Sequence, residues 1–185
     1  MIVRMVSVVA LVLLTTAGRA SAQGPSVSVQ VGGGPTLVDA GQTFAATVGF
    51  WPNSRIAFMV DVQRTHLDSR VTTERFGDVI SVSTFRGGTL VAVTGEFRFA
   101  PFPSAPVSPY IFGGLGTGRS RPNVNERFPE PVTNTARFMS GGAGVTVPIG
   151  DRFSAYAETR LLFGAEGTEG LLGMWPVRVG VGWRF

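Results

Sequence analysis

Apolar and polar residues alternate with a period of two through most of the chain beyond residue 25, which is the pattern of half-buried β-strands. In the stretch "TFAATVGFW", Phe44, Ala46, Val48 and Phe50 share one face. No segment in this region has the 3.6-residue period of an amphipathic helix. The pattern predicts eight strands: Ser26–Gly32, Thr43–Trp51, Arg55–Arg64, Thr89–Ala100, Pro109–Gly118, Arg137–Ile149, Arg152–Gly164 and about Met174–Phe185.

The connections between these segments fall into two classes. Short ones lie at Pro52–Ser54, Phe102–Ser108 and Gly150–Asp151, whereas Thr65–Gly88 and Arg119–Thr135 are long and polar. Short turns at one end and long loops at the other are typical of an outer-membrane barrel, which also needs an even number of strands. The prediction is an all-β, eight-stranded, antiparallel, up-and-down transmembrane barrel with both termini on the periplasmic side.

The chemistry of the two strand faces indicates which side meets lipid. In the seventh segment, one face carries Phe153, Leu161 and Phe163, and the other carries Glu158 and Arg160. Ionic residues suit the interior of an eight-stranded barrel, which side chains can fill. An exported soluble β-sandwich or lipocalin-like barrel also produces alternation, but it packs its apolar face inward. The phase of the fifth segment is ambiguous, because Ile111 and Phe112 lie on opposite faces.

Two sets of residues follow from this interpretation. The polar faces predict a network in the lumen formed by Asp61, Glu96, Arg98, Tyr156, Glu158, Arg160 and Arg178. Aromatic residues at strand ends predict girdles at the two membrane interfaces, formed by Phe50, Trp51, Phe153, Phe163, Trp175, Trp183 and Phe185. On the narrow-pore alternative, Glu158→Gln or Arg160→Met is expected to raise conductance by loosening a salt-bridged plug in the lumen.

Composition and the N-terminus indicate where the protein is located. Residues 1–22 contain a basic residue, a short apolar run and the sequence Ala20-Ser21-Ala22, which is the pattern of a cleaved signal peptide. Residues 23–185 are then the barrel, in the bacterial outer membrane. The chain is 44% hydrophobic and 15% charged, with 25 glycines and no cysteine, so disulfides are excluded. The net charge of +4 comes without a basic run, and we expect no nucleic-acid partner.

Several stretches carry a family likeness. "SPYIFGGLGTG", "GGAGVTVPIGDRFSAYAETRLLFG" and the terminal "VRVGVGWRF" resemble strands of the OmpA/OmpX-like small outer-membrane barrels. The resemblance implies lumen roles for Glu158 and Arg160 with Glu96 and Arg98 as partners. It also implies contact of the C-terminal strand with the barrel-assembly machinery, and contact of the barrel with outer-membrane lipids and lipopolysaccharide. We expect no peptidoglycan-binding domain after the barrel, and therefore no anchoring role.

The sequence contains little catalytic chemistry. The only histidine, His66, lies beside Asp68 and Ser69 in a long loop, too close in sequence to form a rigid triad. The glycine-rich stretch near residue 33 lacks the Lys-Ser/Thr of a phosphate loop. We expect no enzyme activity, no cofactor and no metal. The predicted function is a structural, surface-displaying barrel whose long loops contact an unidentified ligand; a lipid-modifying enzyme or a narrow pore of the porin type are the alternatives.

Overall fold

The computed structural model describes residues 24–37, 41–76, 79–85, 87–124, 129–130, 133–166 and 174–185. The predicted signal peptide, residues 1–22, lies outside this part of the chain. The strands are β1 (Ser26–Pro35), β2 (Gly41–Trp51), β3 (Ile56–Leu67), β4 (Arg70–Phe76), β5 (Val79–Phe85), β6 (Gly88–Phe99), β7 (Ser108–Pro122), β8 (Asn134–Pro148), β9 (Phe153–Glu166) and β10 (Val177–Arg184). The described residues contain no helix long and apolar enough to cross a membrane.

Eight strands form one closed antiparallel barrel in the order β1-β10-β9-β8-β7-β6-β3-β2. Strand β10 closes on β1, with Val29 opposite Trp183 and Ser28 opposite Arg184. The amide of Phe185 extends this closure by donating to the carbonyl of Val27 at 2.8 Å. The predicted eight-stranded, antiparallel, up-and-down barrel is therefore confirmed.

Large apolar side chains cover much of the outer surface of the barrel, whereas charged side chains are buried at its centre. Phe58, Leu115 and Val179 are each more than half exposed, whereas Asp61 and Arg160 are fully buried. A soluble sheet protein has the opposite arrangement, with polar side chains outside. The structure also fixes the phase of β7, because Ile111 and Leu115 face outward while Phe112 is buried.

The connection Thr65–Gly88, expected to be a loop, is largely β-structure. Strand β3 continues to Leu67, and β4 and β5 pair as a separate two-stranded antiparallel hairpin with Val71 opposite Thr84. Its charged residues suggested a loop. However, "RVTTERF" and "VISVSTF" are rich in the β-branched residues that favour strands. Strand β7 likewise extends to Pro122, into the connection expected to begin at Arg119.

Local hydrogen bonds and glycine build the short turns. The side-chain oxygen of Asn53 accepts from the amides of Arg55 and Ile56, each at 2.9 Å, which closes the β2–β3 turn. Gly150, with φ of 143°, turns β8 into β9, a conformation that favours glycine. These turns lie at the same end of the barrel as the start of β1 and the end of β10, so this is the short-turn end.

Candidate functional site

The centre of the lumen holds three carboxylates and three guanidinium groups from four strands. Alternation directs them inward: Asp61 from β3, Glu96 and Arg98 from β6, Glu158 and Arg160 from β9, and Arg178 from β10. The side chains in these ion pairs are no more than 1% exposed. Because the numbers of acids and bases are equal, the group has no net formal charge.

Arg160 is the hub of this ionic network. Its guanidinium forms ion pairs with Asp61 at 3.4 Å, with Glu158 at 3.2 Å, and with both carboxylate oxygens of Glu96, one of them at 3.1 Å. Arg178 bridges Asp61 at 3.0 Å and Glu158, to which its Nε donates at 2.8 Å. These contacts connect opposite walls of the barrel, so the network both neutralises the buried charges and braces the lumen.

Neutral side chains add hydrogen bonds to the charged groups. Tyr110 donates to Glu158 at 2.9 Å, Thr47 donates to Asp61 at 2.7 Å, and Gln30 accepts from Arg98 at 3.1 Å. The guanidinium carbon of Arg98 lies 4.1 Å from the Tyr110 ring centroid. Buried charges are tolerated when they are paired and hydrogen-bonded, and every charged group here has an ion-pair partner, although the Nε atoms of Arg98 and Arg160 donate no hydrogen bond within the described part of the chain.

The structure places all seven predicted lumen residues on the inner face. Six of them form the ionic network. The seventh, Tyr156, lies outside that network, with its ring against the backbone of Gly32 and Gly180. The prediction missed Tyr110 and Phe112, whose rings pack against arginine guanidinium groups. A signal was present, since both have the same parity in β7 as the inward-facing Gly114 and Gly116.

Inward-facing glycines make room for these rings. A Cβ atom at Gly142 would lie 2.6 Å from the Phe112 ring, and one at Gly144 would lie 2.6 Å from the Tyr110 ring and its hydroxyl oxygen. In this part of the barrel, the large side chains of β7 therefore lie against glycines of β8. Pairing a large residue with a glycine in this way fills the lumen.

Beyond the ionic network, toward the long-loop end, the lumen becomes apolar. This apolar layer consists of the buried residues Leu67, Leu90, Ala92, Ala136, Phe138, Leu162 and Met174. The predicted lumen network did not include this apolar layer. The reason is that Leu67, Leu90 and Phe138 lie near or beyond the predicted strand ends, where the extended strands carry the alternation further.

At the short-turn end, the lumen opens into a cavity of about 160 Å³ lined by Ser28, Gln30, Trp51, Tyr110 and Arg184, among others. The indole of Trp51 donates to Ser28 Oγ at 2.9 Å, and Arg184 lies 4.4 Å from the Trp51 ring centroid. The prediction that Trp51 belongs to an outer girdle is wrong. It follows Phe50 directly, so the alternation of β2 turns it inward.

The other predicted girdle residues lie at the two ends of the outer surface. At the short-turn end, Trp183 packs against Phe153 at 4.3 Å and Phe185 at 5.9 Å between ring centroids. Phe50 is exposed nearby on the outer face of β2. At the long-loop end, Phe163 and Trp175 are exposed, and the indole of Trp175 donates to Thr159 Oγ1.

His66 lies on the outer face of β3 near its end. Its Nδ1 is 3.3 Å from Thr89 Oγ1, and its Nε2 is 3.8 Å from the Asp68 carboxylate. The Ser69 hydroxyl accepts from the side-chain amide of Asn123 at 3.1 Å. In the part of the chain that the structure describes, no group of three or more His, Asp or Glu side chains is placed to hold a metal ion.

Comparison with known proteins supports the fold. The N-terminal β-barrel domain of OprF from Pseudomonas aeruginosa superposes with a TM-score of 0.59 at 18% identity, covering 88% of this chain and 99% of that one. Neisserial surface protein A gives 0.57 at 15% identity, with 90% and 98% covered. Ail, the attachment invasion locus protein of Yersinia pestis, in complex with the heparin analogue sucrose octasulfate, gives 0.53 at 16%, with 89% and 100% covered.

Sequence comparison adds nothing to these structural matches. No protein-family model matches the chain, and no curated protein matches its sequence. The structural neighbours are small outer-membrane barrels, so the resemblance to the OmpA/OmpX-like proteins holds at the level of the fold.

Proposed function

We propose that this chain is an exported bacterial outer-membrane protein whose closed barrel stabilises the envelope and presents long loops to the outside. The observation that carries the proposal is the distribution of its side chains. The outer surface is apolar, while the lumen contains a charge-balanced ionic network and a separate apolar layer. An outer surface that favours hydrocarbon and a lumen filled by side chains are both suited to a scaffold embedded in a membrane.

Aromatic residues support a membrane-spanning orientation. Phe153 and Trp183 lie on the outer surface at one end, and Phe44 and Phe163 lie on it at the other. Amphipathic and aromatic rings favour the two lipid–water interfaces. In this orientation the short-turn end faces the periplasm, and the C-terminal strand is the segment that the barrel-assembly machinery would contact.

The long-loop end supports a role in surface contact. There the β4–β5 hairpin forms a separate two-stranded sheet between β3 and β6 in the chain, and Val71 is exposed on it. Two of the similar barrels are named for the cell surface and for attachment. We assign the chain no catalytic role. The proposed function depends on the apolar outer surface, the ionic network in the lumen and the exposed β4–β5 hairpin.

Single-cysteine spin labels test the membrane orientation, because the chain has no cysteine of its own. We expect labels at Val179 and Leu161, after reconstitution in lipid, to be relaxed by oxygen and shielded from a water-soluble nickel complex. A label at Val71 on the hairpin is the matched control and should show the opposite accessibility. Equal nickel accessibility at Val179 and Val71 would contradict a lipid-facing wall.

Planar-bilayer recording tests the closed lumen. Wild-type protein should give flat traces, whereas a barrel of roughly 16 strands with an aqueous channel gives large steps and serves as the reconstitution control. Glu158→Gln alone should also stay flat, because the apolar layer still seals the lumen. The double variant Glu158→Gln with Phe138→Ala should open small steps. Stable steps from the wild type would favour the narrow-pore alternative instead.

A further inference from the structure

The cavity at the short-turn end, called the vestibule from here on, borders a position that has no side chain. Alternation turns Gln30, Gly182 and Ser154 inward, and the register places Gly182 opposite Gln30 on β1 and opposite Ser154 on β9. A Cβ atom at Gly182 would lie 2.9 Å from Ser154 Oγ and 3.2 Å from Gln30 Cγ. The side chains of Gln30 and Ser154 therefore line an open space instead of packing against a third side chain.

The side-chain amide of Gln30 directs its donor end into the vestibule. Gln30 is 5% exposed, and its Oε1 accepts from Arg98 Nη1 at 3.1 Å. Because arginine can only donate, this contact fixes the orientation of the amide and leaves Nε2 on the other side. Nε2 lies 3.6 Å from the Cβ position of Gly182 and has no hydrogen-bond partner among the described residues. Two N–H groups are thus available to a molecule in the vestibule.

The hydroxyl of Ser28 is a second buried donor. The Trp51 indole donates to Ser28 Oγ at 2.9 Å. An indole N–H cannot accept, so the Ser28 hydroxyl hydrogen is left to be donated to another acceptor. Ser28 lines the vestibule and is 5% exposed. Both Gln30 and Ser28 are therefore held as donors by neighbours that occupy one of their acceptor positions.

Arg184 adds a positive charge at the same place. It lies directly opposite Ser28 on the inner face of β10, which makes it a diagonal neighbour of Gln30, about 7–8 Å away. Its guanidinium lies 4.4 Å from the Trp51 ring centroid and forms no ion pair among the described residues. The other charged residues of the lining are exposed and opposite in sign, namely Asp151 and Arg152. The lining therefore carries two arginines and one carboxylate.

The size and the remaining lining of the vestibule indicate a small, partly apolar ligand. The volume of about 160 Å³ is several times the ~10–15 Å³ that one water molecule needs. It is below the range of about 300–1,000 Å³ that is usual for drug-sized ligands. Ala100 and Pro103, from the β6–β7 connection, line the vestibule together with the polar groups. A ligand with one acceptor group and a short hydrocarbon part matches this lining.

We propose that the vestibule binds the carboxylate of a small organic acid. Gln30 and Arg184 donate to the carboxylate oxygens, Ser28 adds a hydroxyl donor, and the hydrocarbon part contacts Ala100 and Pro103. A carboxylate accepts several hydrogen bonds, and those from an arginine are roughly twice as strong as neutral ones. The binding itself does not depend on the membrane. Only the source of the acid, the periplasm, rests on the proposed outer-membrane orientation.

Indole NMR signals test this site on the whole barrel, folded in detergent. The chain has three tryptophans, of which Trp51 contacts Ser28 and Trp175 lies at the long-loop end. The probes are butyrate, its uncharged amide butyramide, and inorganic phosphate. We expect butyrate to shift the Trp51 indole N–H signal saturably and to leave that of Trp175 unchanged. Butyramide should bind about tenfold more weakly or less tightly still, because it cannot form a hydrogen bond to a charged partner as an anion does.

Two arginine variants identify the charge that is recognised. Arg184→Gln should reduce butyrate binding about tenfold or more, to the level of butyramide. Arg55→Gln removes an exposed arginine of the β2–β3 turn that does not line the vestibule, and it should leave butyrate binding unchanged. Heat-modifiable mobility on a detergent gel checks that both variants are folded.

Four results would overturn the proposal. The first is the absence of a saturable shift with butyrate. Equal binding of butyramide would show that charge is not recognised, and equal binding of phosphate would show that the hydrocarbon part is not. If Arg184→Gln weakens butyrate and butyramide alike, the arginine only holds Trp51 in place. None of these results changes the lipid exposure of a label at Val179, which tests the proposed function separately.

Discussion

Replacing Gly142 with valine will prevent the barrel from folding, whereas the same replacement at the adjacent Gly141 will be tolerated. A Cβ at Gly142 would lie 2.2 Å from the carbonyl oxygen of Thr159 and 2.6 Å from the Phe112 ring. Neither can retreat, because the first belongs to the neighbouring strand and the second packs against the Arg160 guanidinium at 4.7 Å. The cost should exceed the ~1–3 kcal/mol of ordinary overpacking.

Gly141 is a matched control because it belongs to the same strand but faces outward. The nearest atom to a Cβ there is the carbonyl oxygen of Phe112 at 3.8 Å, an ordinary contact. Valine also favours strands and lipid-facing positions. Heat-modifiable mobility on a detergent gel, after refolding into lipid, measures the folded fraction. A folded band of equal strength for both variants would contradict this account of the lumen.

Replacing Arg160 with methionine will lower the free energy of unfolding by about 3–5 kcal/mol, the cost of breaking a buried ion pair by removing one partner. Arg160 pairs with all three lumen carboxylates, and among the described ion pairs it is the partner of Glu96. The substitution therefore leaves the buried Glu96 carboxyl without an ion-pair partner. Urea unfolding in detergent measures the loss.

Two further variants test the cause of that loss. Arg152→Met removes an exposed arginine at the β8–β9 turn and should change the free energy of unfolding by less than about 0.5 kcal/mol. Adding Glu96→Gln to Arg160→Met replaces the carboxyl that has lost its ion-pair partner and should restore part of the stability. If the double variant is no more stable than Arg160→Met, the loss arises from packing and the electrostatic explanation is wrong.

The barrel was predictable because alternation is a local property. Alternate residues of a strand belong to opposite faces, so the sequence of one strand is enough to assign each residue to a face. Glu158 and Arg160, for example, lie two residues apart on the same face. Which carboxylate meets which arginine depends on strand register and on contacts across the lumen. The link between Asp61 and Arg178, for example, joins residues 117 positions apart in the chain.

The errors also have physical causes. Trp51 was assigned by its position at a strand end, although the parity of β2 relative to Phe50 was sufficient to turn it inward. The β4–β5 hairpin was hidden because charged residues outweighed β-propensity in the interpretation of Thr65–Gly88. The apolar layer was missed because Leu67 and Phe138 lie close to predicted boundaries, which are the least reliable part of any assignment from periodicity.

The pairing of β1 with β10 has a consequence for biogenesis. Strand β1 is synthesised before its partner β10. Until β10 is available, the partly formed sheet has two unpaired edges that can join another polypeptide. Such a distant pairing also slows maturation, because the ends must meet before closure yields any gain. If the chain is exported as proposed, its unpaired edges have to be kept from other polypeptides until β1 and β10 meet.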